Sequence, residues 1–183
     1  MVARRSPKPE VGVQILAPVP TCRMKMIYLD VDGVIADFEM GIRALGYTGG
    51  VACSDREPGE LERFMAANYT QIFRTAPPTN HMRFFQDMYW GNRPNMKLLT
   101  AMGSHYKKEH IETVKENKYW WLGQFGFERE DIIIVPQAAD KLKYCQPGDV
   151  LYDDKRWTIE RWNQLGGHGF LVYYQPSWSS NEN

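Results

Sequence analysis

Met26-Ile-Tyr-Leu-Asp30-Val-Asp32-Gly-Val-Ile-Ala-Asp-Phe38 is the stretch that decides the fold. Ile27 to Leu29 is short and apolar, with a β-branched and an aromatic residue, and reads as a buried strand. It runs straight into two carboxylates and a glycine. Side chains two apart on a strand leave the same face, so Asp30 and Asp32 start close together at the strand's carboxyl end. Open α/β sheets bind their ligands at that end. Adjacent anions repel unless a cation or a shared proton compensates, and oxygen-only ligands suit Mg²⁺.

Downstream of this strand, Ile35, Phe38, Ile42 and Leu45 fall at helical spacing, and Gly46 stops the run. A glycine- and proline-bearing loop spans Tyr47 to Gly59. A second helix carries Leu61, Phe64, Met65, Ile72 and Phe73 on one face and ends at Pro77-Pro78. A third, capped by Thr79 or Asn80, carries Met82, Phe85 and Tyr89. Strands are expected at Met96–Thr100, Asp131–Val135, Val150–Asp154 and Phe170–Tyr174, with a helix from Gly103 to about Lys118 and another from Trp157 to Leu165. Strands alternating with helices predict an α/β fold, a Rossmann-like parallel sheet with helices on both faces. Residues 25–42 and 78–176 form the core, with a small helical cap, 43–77, inserted after the first strand. Residues 1–24 read as a flexible N-terminal tail and 177–183 as a frayed end.

In a parallel sheet all carboxyl ends share one edge. Asp30 and Asp32, Thr100, Lys141 and the pair Asp153-Asp154 therefore converge there. Acids, a hydroxyl and a lysine make a metal-assisted phosphoryl-transfer site. Asp30 is placed to attack phosphorus and Asp32 to act as general acid and base. Thr100 and Lys141 would hold phosphate oxygens, with charge stabilisation the largest protein contribution. Lys143 has equal reach on paper and is the alternative to Lys141. Asp154 reads as an outer residue orienting loops or metal waters.

These residues resemble the haloacid dehalogenase (HAD) superfamily of phosphohydrolases. More narrowly, Leu29-Asp-Val-Asp-Gly-Val-Ile-Ala-Asp-Phe38 is similar to the 5′(3′)-deoxyribonucleotidase family, including its phage and bacterial members. Phe73-Arg-Thr-Ala-Pro-Pro78 resembles the segment leading out of that family's helical cap. Lys141-Leu-Lys-Tyr144, Pro147-Gly148, and the acid pair followed by Trp162 and Gly166-Gly167 fit its C-terminal half. The likeness runs roughly from residue 26 to 173. It implies Asp30 as nucleophile, Asp32 as acid/base, Thr100 and Lys141 as phosphate ligands, and an Mg²⁺ site made by Asp30, the backbone carbonyl of Asp32, and Asp153. Phe38 matches an aromatic that stacks on the nucleobase, and Phe73 is a second candidate beside it. Tyr152 departs from the pattern, standing where an aliphatic residue is usual.

Composition sets limits on partners. The 22 basic and 22 acidic residues cancel, which argues against duplex DNA as a ligand. Three cysteines, Cys22, Cys53 and Cys145, show no zinc spacing and read as free thiols. No apolar run is long enough to span a membrane, and Val11 to Val19 is too short and proline-broken for a signal segment. A cytoplasmic protein is expected, with a homodimer left open. His81, His105, His110 and His168 show no ligand spacing. Tyr119-Trp-Trp121 is expected to be buried against the sheet.

The expected function is Mg²⁺-dependent hydrolysis of (deoxy)nucleoside monophosphates through an aspartyl-phosphate, with a small nucleotide as the partner. The alternatives are another small phosphate ester, a nucleic-acid 3′-phosphate end, or a non-catalytic nucleotide-binding module. A signalling receiver domain fits poorly, because here an acid pair follows the lysine.

Overall fold

The computed structural model describes residues 25–50, 59–103 and 106–173. The expected N-terminal tail and frayed end, Cys22, Cys53 and His105 lie outside these residues.

Five strands, β1 (Ile27–Leu29), β2 (Met96–Ala101), β3 (Ile132–Val135), β4 (Val150–Asp153) and β5 (His168–Leu171), form one sheet in the order β3-β2-β1-β4-β5. All four pairings are parallel, giving the expected Rossmann-like α/β sheet. The register alternates faces as the pleat demands. Leu29, Leu98 and Ile132 are aligned and pack on one side with Met82, Phe85 and Tyr89 of α3 (Met82–Asn92) and Trp121 and Leu122 of α4 (Ile111–Gln124). Tyr28, Leu99 and Leu151 face the other side, against Ile159 and Trp162 of α5 (Arg156–Gln164).

Between β1 and α3 lie α1 (Phe38–Ala44) and α2 (Glu60–Ala67). Ile42 of α1 joins Leu61, Met65, Ile72 and Phe73 in a separate apolar cluster. That cluster also takes in Met102 and Val114, so the inserted helices pack against the carboxyl end of the sheet and α4. The two ends of the insertion are pinned together beneath it. The Asp37 amide donates to the Pro77 carbonyl at 2.8 Å, and the Thr79 hydroxyl to the Val34 carbonyl at 2.6 Å.

Several elements differ from expectation, among them the fourth helix, which starts at Ile111 and not at Gly103, and the third, whose N-cap is His81 and not Thr79 or Asn80. The second helix stops at Ala67, where the Asn68 amide and side-chain amide both turn back onto the Phe64 carbonyl. Phe73 therefore sits in a turn, not on a helix face. The fourth helix continues six residues past Lys118, to Gln124; Trp121 is buried but Trp120 is exposed, stacked under the Arg74 guanidinium. The last strand begins at His168, two residues early, because its amide reaches the Asp149 carbonyl at once. Among the described residues no helix is long and apolar enough to cross a membrane.

At the amino edge of the sheet Asp131 is buried and accepts from Tyr89, Arg93 and Lys97. Burial alone would raise its pKa, but these bonds win and hold it down to about 2. A depressed carboxyl stabilises the fold above its unfolded pKa and stops doing so as pH falls through the folded one. Melting temperature is expected to fall between about pH 4 and pH 2 by the equivalent of at most about 2 kcal/mol, and Asp131→Asn to remove that part of the slope in a melting-versus-pH series.

Candidate active site

Chain order reverses at β1: β2 and β3 build outward on one side, β4 and β5 on the other. A crevice opens at the carboxyl edge of such a switch point. Asp30 follows β1 there, its amide bonded to the Tyr152 carbonyl of β4 at 2.9 Å. Asp153 ends β4 beside it. Both acids are nearly inaccessible, at 3% and 0% exposure.

Lys141 lies between them. It belongs to a 3-10 segment, Ala138–Tyr144, that follows β3, and its ammonium is 2.7 Å from Asp30 Oδ2 and 2.7 Å from Asp153 Oδ2. Burial would lower its pKa, but the two carboxylates raise it further, so it stays charged. Asp153 Oδ1 accepts from the Lys155 amide. Lys143, the alternative, is on the surface, paired with Asp140 at 2.6 Å.

Asp32 stands past the strand end, where the Gly33, Val34, Ile35 and Ala36 amides turn the chain back through a tight loop. Its Oδ2 is 2.5 Å from the ammonium of Lys118, which also donates to Thr100 Oγ1 at 2.9 Å. Thr100 and Lys118 are both buried. The Phe73 ring covers the same ammonium, 3.9 Å from its centroid. Burial pushes the Lys118 pKa down, opposed by Asp32. Lys118 was not among the site residues expected from the sequence. So Thr100 is joined by Lys118, while Lys141 serves Asp30 and Asp153.

Asp154 completes the edge. A carboxylate oxygen from each of Asp30, Asp153 and Asp154 lies within 4.8 Å of the others. Asp154 thus joins the cluster itself rather than standing outside it, whereas the Asp32 side chain is engaged by Lys118. Burial and the charge of Asp30 push Asp153 up to about 6; Asp154 is exposed as a residue, but partial desolvation of its carboxyl, then the charges of Asp30 and Asp153, push it up to about 7. Asp30, Asp32, Asp153 and Asp154 face only two ammonium groups, Lys118 and Lys141, so the site has more acid groups than cations. That donor set, all hard oxygen, fits Mg²⁺.

Gly33 makes room for this arrangement. Its φ is +79°, and a Cβ there would stand 2.2 Å from Asp154 Oδ2. Gly33→Ala is expected to push the Asp154 carboxylate aside and raise the Mg²⁺ concentration for half-activation about 10–100-fold, the usual penalty for disturbing a metal's supports. Metal titration of the activity checks this.

Phe38 is half-buried, its ring 5.2 Å from that of Phe73, so the two base-stacking candidates form one aromatic pair at the cap's base.

No protein-family model and no curated protein matches the chain. Solved structures resemble it. A family IA, variant 3 HAD hydrolase from Entamoeba histolytica is 10% identical over 81% of this chain and 84% of its own, with a TM-score of 0.49. The D,D-heptose 1,7-bisphosphate phosphatase of B. bronchiseptica, solved with magnesium and phosphate, is 12% identical over 85% and 84%, with a TM-score of 0.46. A HAD family enzyme of Bacteroides thetaiotaomicron, solved as a magnesium complex, is 12% identical over 86% and 97%, with a TM-score of 0.41. Likenesses this distant transfer no chemistry, and the site is read from its own atoms.

Proposed function

We propose that this chain is a Mg²⁺-dependent phosphomonoesterase of the HAD type that hydrolyses (deoxy)nucleoside monophosphates. One observation carries the reading: two acids at the end of the central strand each hold a different buried lysine, with Asp153, Asp154 and Thr100 around them.

Asp30 Oδ attacks phosphorus; the new O–P bond forms as the ester P–O bond breaks. Asp32 gives a proton to the leaving oxygen, then takes one from the water that cleaves the acyl-phosphate. Inorganic phosphate leaves and Asp30 is regenerated. Lys118 and Thr100 bind phosphoryl oxygens and offset charge as it builds. Lys141 holds Asp30 and Asp153 in place. Asp30, Asp153 and Asp154 would hold Mg²⁺, with the Asp32 carbonyl as a further oxygen, and the ion would neutralise phosphoryl charge.

Nucleotide preference is supported by the similarity of the Leu29–Phe38 motif and by the Phe38–Phe73 pair. Phosphate release is to be measured with Mg²⁺, and with chelator, across nucleoside 5′- and 3′-monophosphates, sugar phosphates and 3′-phosphorylated oligonucleotides. Highest kcat/KM on nucleoside monophosphates is expected. Preference for a sugar phosphate or an oligonucleotide end would replace the substrate; no release from any would end the reading.

A further inference from the structure

We propose that Phe73 and Asn117 are a positioning pair through which the cap holds the Lys118 ammonium on Thr100 and Asp32. This rests on the phosphomonoesterase reading above and assigns Phe73 a task separate from stacking on a base.

Phe73 is the only described non-glycine residue with positive φ, 67°. A bulky side chain is strained there and stays only where its surroundings over-determine it. The surroundings are one face of α4. Asn117 is 1% exposed and both ends of its amide are used. Its Nδ2 donates to the Tyr69 carbonyl at 2.9 Å, and its Oδ1 accepts from Arg74 Nε at 2.6 Å. One turn on, Trp121 Nε1 donates to the Ala76 carbonyl at 2.7 Å. Residues 69–76 are thus clamped on both sides of Phe73.

The clamp sets the ring over Lys118. An ammonium has three N–H groups. Two are met by Asp32 Oδ2 and Thr100 Oγ1, and the face of Phe73 is the third partner, at 3.9 Å. Cation–π attraction is strongest where water is excluded, as at this lysine. Phe38 backs Phe73, with ring centroids 5.2 Å apart. The cap thus supplies one wall of the phosphate-binding end, and the bonds that fix that wall come from α4, the helix that carries the lysine.

A residue that only stacks on a base matters only to substrates that have one. A residue that positions Lys118 matters to every phosphate. Phe73→Leu and Asn117→Ala are to be compared with wild type on a nucleoside monophosphate and on 4-nitrophenyl phosphate. Inorganic phosphate affinity is to be measured by calorimetry. Phe73→Leu is expected to lose about 10–30-fold in kcat on both substrates and to weaken inorganic phosphate binding. Phe73→Tyr, which keeps the ring face, retains most activity. Against a Lys118→Met background the effect of Phe73→Leu disappears. Asn117→Ala shifts the same quantities in the same direction, which covers poor folding of Phe73→Leu. Phe73→Gly melts above Phe73→Ala, since glycine tolerates the positive φ.

A loss confined to the nucleotide, or an undiminished effect in the Lys118→Met background, overturns the proposal. If the wild type releases phosphate from no ester, the enzymatic reading fails by itself, and inorganic phosphate affinity still decides whether Phe73 and Asn117 position Lys118.

Discussion

Asp30→Asn is expected to lower phosphate release by roughly 10³-fold or more with every substrate the wild type accepts, because an amide oxygen does not form the acyl-phosphate. The same change is expected to leave melting temperature level or higher. Lys141 keeps its second partner, Asp153, at 2.7 Å. Asp153 and Asp154 are both raised in part by the charge of Asp30, so its removal relieves them. Strained, charge-crowded sites commonly gain stability when they lose function. Phosphate release and a thermal melt in one buffer test both halves. Activity within tenfold of wild type would place the nucleophile elsewhere. A sharp drop in melting temperature would make Asp30 a structural residue.

The strand and the acid pair followed by Gly33 were legible because they are local. Three apolar residues, two acids and a glycine need nothing distant to be read. Thr100 and Asp153 could be placed because a parallel sheet brings carboxyl ends to one edge whatever the spacing. Lys118 was harder, since its role depends on the rotational phase of α4. A signal was nevertheless present. The buried positions of that helix include Val114, Asn117, Lys118, Trp121 and Leu122, spaced three and four apart. An amide and an ammonium on an otherwise apolar stripe must find partners, because burying them unpaired is costly. The conformation of Phe73 had no such signal: Asn117, 44 positions downstream, helps to hold it in place. The last strand begins at His168, before the apolar run, because β5 is an edge strand on which even Phe170 is half exposed.

Lys141→Met is expected to be the most damaging single change to the fold at this site. The ammonium is 1% exposed and is the shared partner of two carboxylates that are themselves buried. Methionine fills the volume but leaves Asp30 and Asp153 facing each other without a cation. Removing one member of a buried ion pair costs about 3–5 kcal/mol, chiefly from the charge left behind. Two findings in denaturation experiments would separate this cause from simple loss of packing. Adding Mg²⁺ should raise the melting temperature of the variant more than that of the wild type, since a cation then binds a more negative cluster and stabilises the folded state by mass action. Combining Lys141→Met with Asp153→Asn should recover part of the lost stability, because Asp30 then no longer faces a second unpaired carboxylate there, but not the activity. Additive destabilisation in that double variant would mean that the lysine acts through its stem and not through its charge.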